Sequence, residues 1–517
     1  MRKLCRIIFS RYAVSALMIL FSLGLLSYVI FFASAYSVYA FVLMSVLDVF
    51  VIISIINRDM NPEYKIPWLV IALVIPFFGA ALYVMFSSRR LSKREARFLR
   101  RINEAADIAA DEEFVFAPDI NTAVDSVEDG SAVGKIVSLL GDDPGAKAFS
   151  GTESEYFPLG ELMLEQMLKD MSAAEKYIFL EYFIIEEGKM WEKILAVLTE
   201  RARCGIDVRV LYDDIGSMKT LPANFPTKLS RLGIKCLRFS KVTPRVSVIH
   251  NNRDHRKICV IDGAVAYTGG INIADEYINE KERFGHWKDG GIRVSGYAAL
   301  GFTKLFLSMW DFTVGGVSNY SEFFGAPRPS VSGDGGCYIP FGSGPAPVYA
   351  RHSGKHAFLN LINQAHKYVY ITTPYLIIDY TLTEALRCAA LRGVEVVIIT
   401  PSKADKRFVK VMTKSSYPAL MEVGVKIYEY TPGFIHEKLL ICDDLYAVVG
   451  SINFDYRSLV HHFEAALWIY KSPTVIRIRE EFQKTQAVSA EIDVGEARLS
   501  FFERIVRNLI RLFAPLL

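Results

Sequence analysis

Long apolar runs dominate the first hundred residues of the chain, and shorter alternating patterns follow them. The stretch from Tyr12 to Ile56 contains one charged residue, Asp48, and the stretch from Ile66 to Phe86 contains none. A transmembrane helix needs about 20 consecutive apolar residues. Residues 1–100 are therefore predicted to form a membrane region of two to three transmembrane or interfacial helices.

The charges that flank these runs leave their orientation open. A basic N-terminus precedes the first run, as in a cleaved signal peptide, but that run is too long for one and merges with the next. Lys and Arg residues are concentrated both at the N-terminus and after the third run. Three spans would place these groups on opposite sides, so the positive-inside rule gives no single topology.

From about residue 153 the chain changes to strand–helix–strand patterns, and the pattern occurs twice. The predicted order is strand, helix, strand in each copy: 176–185, 190–204 and 207–212, then 367–372, 383–391 and 394–399. Helical crossovers between strands favour parallel or mixed sheets that helices cover on both faces. The sequence thus predicts a duplicated α/β protein with two similar halves.

These patterns divide the chain into five parts. A Gly-, Ser- and Pro-rich stretch from Val314 to Gly336 separates the halves. Apolar residues follow one face of the stretch 499–513 and basic residues the other, which indicates a helix that lies on an anionic lipid surface or packs on the preceding domain. The parts are the membrane region at 1–100 with its basic end, an acidic connector at 101–150, a first half at 151–325, a second half at 326–490 and an amphipathic C-terminal helix at 491–517.

Composition excludes several classes of protein. Hydrophobic residues make up 51% of the 517 residues, which argues against a disordered chain. Lys and Arg exceed Asp and Glu by 59 − 56 = 3, so no strong positive field points to a nucleic-acid partner. The seven cysteines form no C-x-x-C pair, which excludes a zinc finger and a disulfide scaffold.

The repeat is strictest at one chemical motif, H-x-K-x4-D-x6-G-x-x-N. Its first copy begins at His255 and its second at His436, and every motif position recurs with an offset of 181 residues. In a strand, side chains two residues apart point to the same face. The His and Lys of each copy can therefore reach one phosphate.

The duplicated motif resembles that of the phospholipase D superfamily. The resemblance implies one active site between two α/β halves, without a metal or a cofactor. One neutral imidazole attacks phosphorus and the other, protonated, donates to the leaving alcohol. The lysines neutralise the phosphate oxygens. The implied catalytic residues are His255, Lys257, Asp262, His436, Lys438 and Asp443, and the implied phosphate-binding residues are Gly270, Asn272, Ser451 and Asn453.

The roles within this set differ. The family pattern implies His255 as the nucleophile and His436 as the acid and then the base, whereas the residues alone leave the reverse assignment open. Asp262 and Asp443 are expected to brace the site or the interface between the halves and not to contact substrate. Asp289 and Glu464 are candidates to orient the histidines, with a solvated surface position as the alternative. Structural or surface positions are expected for the remaining histidines, which are His250, His286, His352, His356, His366, His461 and His462.

Further segments narrow the resemblance to bacterial cardiolipin synthases. The similar segments are Asn57–Pro62, Pro76–Gly79, Phe179–Phe183, Thr373–Tyr375, Asn453–Ser458 and Arg511–Leu517. The family joins two phosphatidylglycerol molecules into cardiolipin and releases glycerol through a phosphatidyl-histidine intermediate. The resemblance implies phosphatidylglycerol and cardiolipin as membrane partners and a multi-pass location in the bacterial cell membrane.

Other functions use the same motif. A membrane-bound phospholipase D-type hydrolase would use the same residues with water as acceptor, and another phosphatidyltransferase would use a different alcohol. The small net charge makes a membrane-tethered nuclease a weaker alternative. A non-catalytic lipid-binding protein is the weakest, since both motifs are intact.

Overall fold

A computed structural model describes residue 24 and residues 37–58, 60–76, 78–87, 91–114, 130–140, 146–241, 252–324, 333–349, 352–493 and 501–516. The chain forms two compact units. One unit contains the described residues of the ranges 1–89 and 508–516. The other contains the described residues of the ranges 90–241 and 252–507, including both sequence motifs.

Three helices form the N-terminal part of the first unit: α1 (Ser37–Asn57), α2 (Pro62–Val74) and α3 (Phe78–Phe86). They share a small core in which Trp68 meets Tyr83 edge to face, with ring centroids 5.6 Å apart. The Arg58 guanidinium donates a hydrogen bond of 3.1 Å to the Tyr83 hydroxyl. A short 3₁₀ helix at Ala514–Leu516 contacts α2 in the same unit.

The predicted N-terminal transmembrane helices are wrong for the described part of the chain. None of the described helices combines the length and the apolar character that crossing a membrane requires. The apolar stretch from Ile66 to Phe86 is divided near Pro76 into helices of 13 and 9 residues, shorter than the roughly 20 residues of a span. Helix α1 carries the acidic Asp48 near its middle, where a charge is costly in hydrocarbon. Of the earlier apolar run, residues 12–23 and 25–36 lie outside the described residues.

The second unit begins with two helices, α4 (Lys93–Phe114) and α5 (Gly130–Leu140). Helix α4 crosses the predicted boundary between the membrane region and the acidic connector. Its Leu99, Ile102 and Ala106 are fully buried in the main hydrophobic core. Helix α4 is therefore part of the folded α/β unit.

The first half contains a seven-stranded mixed sheet. The elements of this half are β1 (Thr152–Phe157), α6 (Gly160–Ser172), β2 (Tyr177–Tyr182), α7 (Lys189–Arg203), β3 (Asp207–Asp213), α8 (Phe225–Ser230), β4 (Lys235–Phe239), β5 (Lys257–Ile261), β6 (Val265–Gly269), β7 (His286–Lys288) and β8 (Gly291–Gly296). The sheet order is β1-β8-β6-β5-β2-β3-β4, and the interior strand β2 pairs in parallel with β3 and antiparallel with β5.

Helices α9 (Ala298–Val314) and α10 (Ser321–Phe324) connect this half to the second. All residues of α9 from Ala298 to Asp311 are buried. A helix that is apolar around its circumference needs partners on every side. Here α9 contacts strands of both halves and helix α4.

The second half repeats the plan in an eight-stranded mixed sheet. Strand β10 pairs in parallel with β12 and antiparallel with β15, and the order is β19-β13-β12-β10-β15-β16-β18-β9. The elements are β9 (Cys337–Ser343), α11 (Ser353–Gln364), β10 (Tyr368–Thr372), β11 (Leu376–Ile377), α12 (Tyr380–Leu391), β12 (Glu395–Pro401), α13 (Arg407–Met421), β13 (Lys426–Tyr430), β14 (Gly433–Ile435), β15 (Leu439–Cys442), β16 (Tyr446–Gly450), β17 (Phe454–Asp455), α14 (Tyr456–Val460), β18 (Glu464–Tyr470), α15 (Pro473–Ala487) and β19 (Ser489–Glu491). The last helix, α16, spans Phe501–Leu512.

One hydrophobic core joins the two halves. It contains Phe179 and Val260 of the first sheet, Val397 and Leu467 of the second, and α9 between them. Two further cores cover the outer faces of the sheets. The duplicated α/β arrangement with mixed sheets thus agrees with the sequence prediction, and its shared core holds the two motifs at the boundary between the halves.

Candidate active site

Each motif histidine is anchored to the opposite half by its own backbone. The His255 amide, just before β5, donates a hydrogen bond of 2.9 Å to the carbonyl of Phe463 in the second half. The His436 amide, after β14, donates one of 2.8 Å to the carbonyl of Lys288 in the first half. Strand β14 also pairs in parallel with β7. Each half thus holds the histidine segment of the other half through a backbone hydrogen bond.

Side-chain contacts also connect each histidine to the opposite half. His255 Nδ1 lies 2.9 Å from Oε1 of Glu464 in the second half. His436 Nδ1 lies 2.7 Å from Oδ2 of Asp289 in the first half. In its ionised form such a carboxyl favours the proton on Nδ1 and leaves the lone pair on Nε2. Burial raises the pKa of Glu464 to about 8, and the charge of Lys257 acts against this rise. Each imidazole is therefore oriented by an acid from the other half.

The two motif lysines lie beside these imidazoles and are buried. Lys257 Nζ donates a hydrogen bond of 2.6 Å to the His255 carbonyl. Lys438 Nζ lies 2.8 Å from His436 Nδ1 and also donates to the His436 carbonyl. Burial lowers the pKa of Lys257 to about 8 and the pKa of Lys438 to about 7. An anionic phosphate placed between them would favour the charged form of both.

Burial and the nearby ammonium groups also keep the histidines neutral. Burial, followed by the charge of Lys257, lowers the pKa of His255 well below its usual value. Burial, followed by the charge of Lys438, lowers the pKa of His436 to about 4. A neutral imidazole is the form that can attack phosphorus. The partner that acts as an acid must gain its proton once the phosphate is bound.

The residues predicted to bind phosphate differ in whether their polar groups already have protein partners. Ser451 Oγ donates to Glu464 and accepts a hydrogen bond of 3.0 Å from the Ala465 amide. The Asn272 amide group donates to the Tyr277 hydroxyl at 2.7 Å and accepts from the Ile184 amide at 3.1 Å. The side chains of Ser451 and Asn272 are therefore hydrogen-bonded to the protein itself and help to hold the site together.

Asn453 and Gly270 have different surroundings. The buried Asn453 Oδ1 has no hydrogen-bond partner within the described residues, which leaves it available to a ligand. A side chain at Gly270 would collide with Asp289 Oδ1. Glycine is thus required here because Asp289 must pass close to the backbone to reach His436.

Asp262 and Asp443 lie away from the imidazoles, in the turns at the far ends of β5 and β15. Asp262 accepts three backbone hydrogen bonds from residues 175–177, at 2.7 to 2.8 Å. Asp443 accepts three from residues 366–368, at 2.7 to 3.0 Å. Each aspartate therefore fixes the start of a central strand, β2 or β10, within its own half.

The residues between His and Lys in each motif have a role that the sequence did not suggest. Arg256 is fully buried and donates to the Glu464 carbonyl at 3.3 Å and to the Tyr349 hydroxyl at 2.9 Å. Glu437 accepts a hydrogen bond from Tyr156 of the first half. In the structure both residues lie just outside the strands. The alternation that a strand pattern predicts for H-x-K would still place the middle side chain on the face opposite His and Lys, and that alternation is the signal that could have assigned them to the contact between the halves.

His462 is a further buried residue of the site that the sequence placed among structural histidines. Its ring centroid lies 5.5 Å from that of His255. Of the other histidines, His286 is hydrogen-bonded to the Tyr430 hydroxyl at 2.9 Å, and His250 lies outside the described residues. No sequence signal set His462 apart, because its proximity to His255 depends on the pairing of the halves.

Comparison with known proteins places this geometry in context. A family model described as "Cardiolipin synthase, PLD-like domain" matches residues 167–283 and 358–486, and one described as "Phospholipase_D-nuclease N-terminal" matches residues 46–87. Cardiolipin synthase of Alkalihalophilus pseudofirmus is 31% identical over 478 residues, covering 92% of each chain. An uncharacterized protein of Streptococcus mutans is 38% identical over 467 residues, covering 90% of this chain and 99% of its own.

A solved structure supports the fold. The crystal structure of phosphatidylserine synthase from Haemophilus influenzae matches with a TM-score of 0.55 at 15% identity, and it covers 74% of this chain and 98% of the other. At this identity the similarity concerns the fold alone. It agrees with the duplicated α/β architecture described above.

Proposed function

This chain belongs to the cardiolipin synthase family with phospholipase D-like domains, and we propose that it joins two phosphatidylglycerol molecules into cardiolipin and glycerol. Membership in the family makes it a phosphatidyltransferase that acts on phospholipids. The resemblance predicted from the two motifs is thereby confirmed. We infer further that it works at a bacterial membrane, where both lipid substrates reside.

The mechanistic proposal rests on the contact of each motif histidine with a carboxyl group of the opposite half. Glu464 occupies Nδ1 of His255 at 2.9 Å, so Nε2 is the nitrogen that can attack phosphorus. The new bond joins Nε2 to phosphorus of the first phosphatidylglycerol, and the bond from phosphorus to the glycerol headgroup oxygen breaks. Nε2 of protonated His436 gives its proton to that oxygen, and glycerol leaves.

The second step reverses the roles of the groups. Neutral His436, held through Nδ1 by Asp289 at 2.7 Å, takes the proton of a hydroxyl on the second phosphatidylglycerol. That oxygen bonds to phosphorus and the bond from phosphorus to His255 breaks. The proton balance closes, since His436 ends protonated as it began. Lys257 and Lys438 neutralise the phosphate oxygens in both steps.

Product analysis tests this function. The purified chain is incubated with phosphatidylglycerol alone, and the lipid products and the released glycerol are identified and quantified by mass spectrometry. We expect cardiolipin and glycerol in equal amounts. Phosphatidic acid and glycerol without cardiolipin would instead identify a hydrolase that uses water as acceptor. A His255→Ala, His436→Ala double variant provides the matched blank.

A further inference from the structure

His462 is a buried histidine whose two ring nitrogens have no hydrogen-bond partner among the described residues. Its exposed fraction is 8%, and both Nδ1 and Nε2 lack a hydrogen bond. Leaving buried polar atoms unpaired costs about 1–3 kcal/mol each. Most buried polar side-chain atoms in folded proteins have a partner, so this ring needs an explanation. A ligand that supplies the missing interaction is one.

The neighbours of this ring are metal-ligand groups. His462 Nδ1 lies 3.9 Å from Glu464 Oε1, and His255 Nδ1 lies 2.9 Å from the same oxygen. One candidate ligand atom from each of these residues fits within a 4.8 Å limit. Within the described ranges, no other group of three His, Cys, Asp or Glu residues is gathered in this way.

The donor set selects among cations. Two imidazoles and one carboxylate with an open fourth position are a set that Zn²⁺ adopts in proteins. Mg²⁺ demands six oxygen ligands and is not matched by two nitrogens. Lys257, Arg253 and Arg457 lie close enough to act on His462 electrostatically and oppose a cation. These charges favour reversible binding over a permanent structural ion.

We propose that His255, His462 and Glu464 form an inhibitory site for Zn²⁺ and similar divalent transition-metal ions. The consequence for turnover rests on the proposed function, in which His255 Nε2 attacks phosphorus. A metal on Nδ1 of His255 takes the lone pair of that nitrogen and leaves the ring proton on Nε2. Nε2 then has no lone pair for phosphorus. The ion also occupies Glu464, so the bound enzyme is inactive until the metal is removed.

Binding and inhibition are measured separately on the full-length chain. Competition of Zn²⁺ between the protein and a chromogenic chelator gives stoichiometry and affinity without any turnover. Activity on phosphatidylglycerol is then followed against free Zn²⁺, with each variant normalised to its own rate in chelator. We expect one bound ion, loss of activity in parallel with occupancy, and recovery with EDTA. Mg²⁺ at the same concentrations should leave the rate unchanged.

Two variants separate this site from adventitious binding. His462→Asn should raise the Zn²⁺ concentration for half-inhibition by at least about 100-fold, since losing even an outer-shell partner of a metal typically costs 10–100-fold. His461→Asn changes the adjacent buried histidine outside the cluster and should keep the wild-type value. Binding of Co²⁺ to the wild-type chain should give the visible bands of a tetrahedral ion, a measurement that needs no variant.

Three results would overturn the proposal. They are the absence of a bound ion in the chelator assay, equal Zn²⁺ sensitivity of His462→Asn and the wild type, and an octahedral Co²⁺ spectrum. A chain that binds one Zn²⁺ but makes no cardiolipin would keep the metal site and reject the proposed function. The two hypotheses are therefore tested independently.

Discussion

Replacing Glu464 by Gln tests the assignment of the histidines without changing the shape of the site. Ser451 Oγ donates to Glu464 or to the Ala465 carbonyl at 3.1 Å, and it accepts a hydrogen bond from the Ala465 amide. A glutamine that keeps the hydrogen bond from Ser451 turns its oxygen toward Ser451 and its amide group toward His255. The ring then has to accept at Nδ1 and carry its proton on Nε2.

The size of the effect follows from this reversal. The replacement removes the 2.9 Å hydrogen bond between His255 Nδ1 and the Glu464 carboxyl, and it also fixes the tautomer that cannot attack. Because burial raises the pKa of Glu464 to about 8, the wild type and the variant are compared at a pH above 8. The equivalent acid-to-amide change in a serine-protease triad costs about 10⁴-fold in kcat, which corresponds to about 5.4 kcal/mol in the barrier. We expect Glu464→Gln to lose activity by about this factor and to form no covalent adduct.

Asp289→Asn is the matched variant at His436. The same reversal there leaves a proton on Nε2 of the proposed acid and removes its ability to act as a base. With a p-nitrophenyl phosphatidyl ester, whose leaving group needs little protonation, His255 should still attack. The phosphatidyl-enzyme should then accumulate, because the second alcohol is not deprotonated.

Intact-protein mass spectrometry after a rapid quench distinguishes the two variants, and release of p-nitrophenol gives the size of the burst. An adduct on Glu464→Gln with none on Asp289→Asn would assign the nucleophile to His436. Activity within tenfold of wild type in both variants would show that these carboxylates do not set the tautomers, and it would refute the reasoning.

Three further predictions concern charge, space and stability. Activity as kcat/KM should fall more steeply once pH exceeds about 7, because burial lowers the pKa of Lys438 to about 7 and its charge is lost above that value. Lys438→Arg should retain its charge and move the steeper fall to higher pH, and superimposable profiles would contradict this role. Gly270→Ala should displace Asp289 and lower kcat by about 10²-fold or more, whereas Gly134→Ala, whose new methyl meets nothing within 4 Å, should leave the steady-state rate unchanged. Arg256→Met should lower the free energy of unfolding by about 3–5 kcal/mol, because the buried Glu181 carboxyl, 3.8 Å from the guanidinium, loses its counter-charge. Urea denaturation measures the change, and a change below about 1 kcal/mol would exclude that contribution.

Local patterns predicted the repeated elements of the chain well. The segment 207–212 is strand β3 but for its last residue, Asp213, and the segment 367–372 begins one residue before β10. The 181-residue offset placed the two motif histidines in equivalent positions. These successes rest on strand periodicity and burial, which act within a few residues.

The sequence could not predict which acid serves which histidine. Glu464 lies 209 residues from His255, and Asp289 lies 147 residues from His436. The two acids are offset from each other by 464 − 289 = 175 residues, and not by 181, so the repeat alone does not pair them. Their partners depend on how the halves dock, which is a tertiary property that no local pattern carries.

The membrane prediction failed for a related reason. Hydropathy summed over a window treats Ile66 to Phe86 as one apolar run and gives little weight to Pro76. In the structure that run forms two separate helices, α2 and α3. A proline inside an apolar run has a larger effect on helix length than on mean hydropathy.

The placement of Glu464 has a consequence for the chain during its synthesis. Translation adds about 5–20 residues per second, and 209 residues separate His255 from its carboxylate. His255, the proposed nucleophile, therefore emerges from the ribosome about 10–40 s before Glu464. During that interval the nascent first half holds His255 and Lys257 without Glu464, so in the proposed mechanism the unfinished chain has no complete active site.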